Sequence, residues 1–80
     1  MPTSLRIGPY RFFFYAGDGN EPAYTHVQRD DVEAKFWLAP VRLGFNRGFS
    51  ASELRRIERM TQEHESKLLE VWHEYFDVEA

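Results

Sequence analysis

The sequence has no cysteine, which removes disulfides, thiolate metal sites and dithiol redox chemistry from consideration. It also has no long apolar run. The longest, Phe12 to Ala16, falls far short of the ~20 residues a membrane-spanning helix needs, and Met1-Pro2-Thr3-Ser4 lacks the basic n-region of a signal peptide. A soluble, cytoplasmic protein that does not engage a membrane is expected. Histidine is scarce: His26, His64 and His73 are scattered without metal-ligand spacing, and no serine sits in a Gly-x-Ser-x-Gly elbow. Neither a metal, nor a cofactor, nor covalent hydrolase chemistry is expected. Basic charge is not in excess either, with 10 Lys/Arg against 13 Asp/Glu, so no stripe tracks a DNA duplex, although a compact RNA site is still compatible.

What the chain does have is thirteen aromatic residues in 80. A chain of this size buries only somewhat more than ~60% of its unfolded surface, so large rings compensate for a small core. One domain, residues 1 to 80, is expected. Its net charge of -3 is unevenly spread: residues 1 to 49 carry six Lys/Arg and five Asp/Glu, residues 50 to 80 four and eight.

The clearest local signal is a helix from Ser50 to about Phe76. Ser50 and Glu53 form a capping-box pair, in which the Ser50 hydroxyl takes the Glu53 amide and the Glu53 carboxylate reaches back to the Ser50 amide, with Phe49 and Leu54 as a hydrophobic staple. Leu54, Ile57, Thr61, His64, Leu68, Val71, Trp72, Tyr75 and Phe76 share one stripe at 100° per residue, and Arg55, Arg59, Glu63, Lys67 and Glu70 lie opposite. Glu74, Asp77 and Glu79 place negative charge where the helix dipole favours positive.

Before that helix the chain alternates with period two. Leu5 to Ile7 makes a short edge piece, and Gly8-Pro9 separates it from a strand over Tyr10 to Tyr15. Gly17 to Pro22 has the chemistry of a hairpin loop. Tyr24 to Arg29 puts Tyr24, His26 and Gln28 on one face. After a turn at Asp30-Asp31, Val32 to Leu38 puts Val32, Ala34, Phe36 and Leu38 inward and Glu33, Lys35 and Trp37 outward. Val41 to Phe45 adds a short last strand. The expected fold is α+β: an antiparallel meander of three to four strands, about residues 5 to 45, followed by one long C-terminal helix, about 50 to 76, packed across the sheet.

Among titratable residues, His26 is the leading candidate for proton transfer because it lies on a rigid strand just after a loop, beside Tyr24. Lys35 or Arg47 would stabilise charge developing on a phosphate, which describes a metal-independent ribonuclease. His64 reads as a buried, satisfied imidazole in the helix stripe, and His73 as a flank residue beside Trp72 and Glu74. The outward Trp37 marks either a cross-strand ladder or a binding surface.

Leu5-Arg6-Ile7-Gly8-Pro9-Tyr10-Arg11-Phe12-Phe13-Phe14-Tyr15, Ala34-Lys35-Phe36-Trp37-Leu38, Asn46-Arg47-Gly48-Phe49 and Trp72-His73-Glu74-Tyr75-Phe76 together resemble a small bacterial family known only as a domain of unknown function. The resemblance implies a compact cytoplasmic protein encoded beside a second small protein, in a pair like those of toxin-antitoxin systems. It marks His26, Lys35, Trp37, Asn46, Arg47, Trp72, His73 and Glu74 as motif positions without assigned roles. The family's second strand typically reads Pro-Pro-His-x-His-Val; here it is Pro22-Ala23-Tyr24-Thr25-His26-Val27, so Tyr24 replaces the first histidine. Tyrosine is a poor divalent-metal ligand beside imidazole, but still donates a hydrogen bond. The expected function is a protein interaction module that meets the product of a neighbouring gene through the sheet face and the acidic helix end, using Tyr24, Trp37, Asn46, His73 and Glu74. The alternative is the ribonuclease with His26, Lys35 and Arg47. RNA and a second copy of the chain are the other candidate partners.

Overall fold

The computed structural model describes residues 2–76. Five antiparallel strands, β1 (Thr3–Ile7), β2 (Tyr10–Phe13), β3 (Tyr24–Arg29), β4 (Val32–Trp37) and β5 (Arg42–Arg47), form a meander in which each strand pairs with its sequence neighbour. Two helices follow, α1 (Ala51–Glu63) and α2 (Glu65–Phe76). The α+β meander with a C-terminal helical layer agrees with expectation; the strand count and the single helix need correcting. The short edge piece expected over Leu5 to Ile7 is a full strand, Thr3–Ile7, and the short last strand expected over Val41 to Phe45 runs Arg42–Arg47, an edge strand with both faces largely exposed. β2 also ends at Phe13 rather than Tyr15.

The helix divides at His64, whose backbone sits at φ -109°, ψ 15°. Its ring Nδ1 lies 2.9 Å from the Met60 carbonyl that its own N–H also reaches at 3.1 Å, so side chain and main chain converge on one acceptor. Leu68 N–H still donates to His64 O at 2.9 Å. The apolar stripe therefore crosses the break in phase, which is why periodicity alone reads one helix. Ile57, Thr61, Leu68 and Trp72 are its buried members, whereas Tyr75, expected in the core, is 50% exposed. Asp77 and Glu79 of the expected acidic end lie outside the described residues.

The helices cover one face of the sheet. Register places Phe12 opposite Val27 and Val27 opposite Ala34, and these pack with Tyr10, Phe36, Leu38 and Phe49 against Ile57 and Leu68. At one corner Phe14, Tyr24 and Trp72 form a second cluster, with Trp72 5.1 Å from Phe14 and 5.0 Å from Tyr24, ring centre to ring centre.

Half of the expected capping box forms. Ser50 Oγ accepts the Glu53 amide at 3.2 Å, but the Glu53 carboxylate is taken elsewhere. Arg29 grips it bidentately, Nε at 2.7 Å and Nη2 at 2.9 Å, and Tyr10 OH donates at 2.7 Å. A bidentate guanidinium is a stronger partner than a backbone amide at a solvated helix end. Hydrogen bonds from Arg29 and Tyr10 pull the Glu53 carboxyl down to about 2. The first turn of α1 is thereby fastened to β2 and β3. The approach to the helix depends on Gly48, at φ 108°, where a Cβ would collide with the Val32 side chain.

Candidate functional site

Among the described residues the opposite face of the sheet is largely free of helix, with Trp72 of α2 reaching it only at Tyr24, and register sorts its residues into rows. Thr3, Phe13, His26, Lys35 and Phe45 stand side by side across all five strands. Arg6, Arg11, Gln28, Glu33 and Arg47 form the next row, and Tyr24, Trp37 and Arg42 the row on the other side. Cations that look dispersed in the sequence are thus collected on one surface, while the charge-balanced α1 and the acidic α2 belong to the helical layer. Among the described residues Arg6, Arg11, Arg42 and Arg47 form no ion pair.

His26 is at the centre of this face and only 5% exposed. Four rings enclose it: Phe13 stacks at 5.2 Å and 19°, Tyr15 and Tyr24 meet it edge-on at 5.0 and 5.1 Å, and Phe45 tilts at 5.7 Å. Its Nδ1 is sealed from water and lies 2.9 Å from Glu33 Oε2, yet without the alignment of a hydrogen bond. Burial lowers the His26 pKa; the Glu33 carboxylate opposes that shift and the Lys35 ammonium adds to it. Burial disfavours the charged ring, so at neutral pH the imidazole is uncharged.

Lys35 is half-buried beside it. Its Nζ lies 4.4 Å from the Tyr24 ring centre, 4.2 Å from that of Trp37, and 3.6 Å from Glu21 Oε1. Arg11 lies over Phe13 at 4.6 Å and Arg47 over Phe45 at 4.7 Å. Cation-π contacts thus fix the charged groups in place while leaving the arginines directed outward. Tyr24 is held by its hydroxyl, which donates to Asp18 Oδ2 at 2.6 Å and accepts the Tyr15 amide at 3.0 Å. Burial and the Asp18 carboxylate raise its pKa.

His26, Lys35, Arg47, Tyr24 and Trp37 therefore share one surface. Asn46 does not: it faces the helix side, where its amide donates to Phe49 O at 3.0 Å and accepts the Phe49 N–H at 3.1 Å, shaping the turn into α1. His73 and Glu74 are on α2, in the layer behind the sheet. Sequence reasoning missed Arg6, Arg11 and Arg42 as members of the face, and gave Glu33 no part in acid-base chemistry at His26. A signal for Glu33 was present, because a two-residue turn at Asp30-Asp31 sets Arg29 against Val32 and so Gln28 against Glu33 and His26 against Lys35. Among the described residues no cluster of three or more metal-ligating side chains exists. Nor is any helix among them long and apolar enough to cross a membrane.

The family model described as a domain of unknown function, DUF4160, matches residues 10–73, from the start of β2 into the last turn of α2. No curated protein and no solved structure matches the chain.

Proposed function

This chain belongs to the DUF4160 family, and from that premise we propose that it is a cytoplasmic bacterial interaction module of a toxin-antitoxin-like pair, docking a cognate small protein on the uncovered face of its sheet. One observation carries this reading. Arg6, Arg11, Arg42 and Arg47 lie without acidic partners, among the described residues, on a face whose centre is a rigid layer of aromatic rings. Arginines held on aromatic rings are enriched where proteins meet, because little side-chain entropy remains to be lost on binding. Size-exclusion chromatography with the product of the neighbouring gene tests it: one joint peak at micromolar concentration is expected, and Arg11→Glu with Arg47→Glu should split it. Two peaks for the wild-type pair would reject the proposal.

A second reading is favoured by the 2.9 Å approach of Glu33 to His26 Nδ1. With that carboxylate beside Nδ1, Nε2 is the nitrogen left to take a proton, as a metal-independent ribonuclease requires, with Lys35 and Arg47 meeting the phosphate. Cleavage of total RNA by the wild type and not by His26→Gln is the expected result. Equal cleavage, or none by either, removes the enzyme.

A further inference from the structure

Beyond the face itself, the edge of the sheet at β5 adjoins an apolar cavity. Among the described residues β5 has no partner strand on its outer side, so its outward amides and carbonyls are free to pair. Beside it lies a cavity of about 70 Å³ walled by Phe36, Leu43 and Leu54, with Arg55 and Glu58 at its rim. Leu43 is 46% exposed on this edge. Charged edge residues ordinarily protect a sheet from a second copy of itself, and Arg42 and Arg47 do so here: antiparallel pairing of two β5 strands would set arginine against arginine. That protection does not account for an exposed leucine beside an apolar cavity.

Register divides β5 into two sides. Arg42 pairs with Trp37 and Arg47 with Glu33, so both arginines project from the uncovered face; Leu43 pairs with Phe36 and projects toward the cavity. A strand added to β5 would therefore present alternate residues to two opposite chemistries.

We infer that β5 accepts an extended segment of an acidic partner by strand addition, its apolar residue filling the cavity at Phe36, Leu43 and Leu54 and its flanking carboxylates meeting Arg42 and Arg47. This deepens the interaction-module reading and rests on it. The apolar walls of Phe36, Leu43 and Leu54 place the apolar residue on the cavity side, because a carboxylate there would lose its hydration.

The test is a titration of the isotopically labelled full chain, followed by NMR, with two capped heptapeptides, one alternating glutamate with leucine and the other lysine with leucine. The glutamate peptide should shift the β5 amides and the Leu43 and Leu54 methyls, and the lysine peptide should not. Arg42→Glu with Arg47→Glu, both at exposed positions that leave the core intact, should weaken the glutamate peptide on the order of tenfold. Equal binding of both peptides, binding of neither, or shifts confined to Phe13, His26 and Trp37 would each overturn strand addition at β5. The third outcome leaves the uncovered face as a docking surface. Conversely, separate chromatographic peaks for the wild type and the neighbouring gene product, with the peptide result intact, would remove the cognate partner while leaving the β5 receptor.

Discussion

The two faces of this sheet are made from similar rings for different ends. On the helix side Phe12, Val27, Ala34 and Phe36 are sealed by Ile57 and Leu68 in an apolar cluster, with Thr25 opposite Phe36 and Asn46 opposite Ala34. On the other side Phe13, Tyr24 and Phe45 surround a neutral histidine and support cations, and among the described residues the helices reach these rings only where Trp72 meets Tyr24. The first face supplies stability through area removed from water. The second adds packing at His26 but spends its outer shell on charge held in fixed geometry.

The largest expected effect breaks the helix-covered face. Phe12→Ala should cost about 3–5 kcal/mol in urea unfolding, because the cavity it leaves is enclosed by β3 and the helices. Protonation distinguishes the uncovered face next. His26 has a folded pKa below its ordinary value of 6.5, so the unfolded chain binds the proton more readily. Stability should be constant above about pH 7.5 and fall as pH drops through 6.5 toward the lowered folded value. His26→Phe should flatten that slope, as read from thermal midpoints across pH; an unchanged slope would show that the imidazole is not the group responsible.

Glu53 provides a separate window at the junction between layers. Its folded pKa of about 2 lies below the ordinary 4.5, so its contribution is present above 4.5 and lost between there and about 2. Glu53→Gln should remove that lower acid transition and leave the histidine window in place. The smallest effect on stability belongs to Arg47→Ala, under ~1 kcal/mol at an exposed position, even though the same substitution should weaken partner binding. A large loss of stability would mean that the Phe45 contact supports the fold rather than a ligand.

Much of this contrast is legible in the sequence. Period-two alternation already assigns Val32, Ala34 and Phe36 to one side and Glu33, Lys35 and Trp37 to the other, and the Ser50 cap fixes where the helices begin. Two features are not. The destination of Glu53 depends on Arg29, 24 residues away in sequence and brought close only by the sheet. The clustering of Arg6, Arg11, Arg42 and Arg47 depends on register across four strand pairs, which a linear count of charges averages to near neutrality. His64 is a third kind of case, because a side chain competing for its own helix's carbonyl leaves the apolar period unchanged.

The ring stack at His26 also makes the molecule its own indicator. The imidazole stacks on the Phe13 ring, with Tyr15 and Tyr24 set edgewise to it, so aromatic ring currents displace the resonances of its carbon-bound protons from those of a free histidine. Anything that settles on Phe45, lifts Arg11 off Phe13 or charges the imidazole alters those currents. A one-dimensional proton spectrum, without label or dye, would then report occupancy of the sheet face and the protonation of its centre in a single pair of lines.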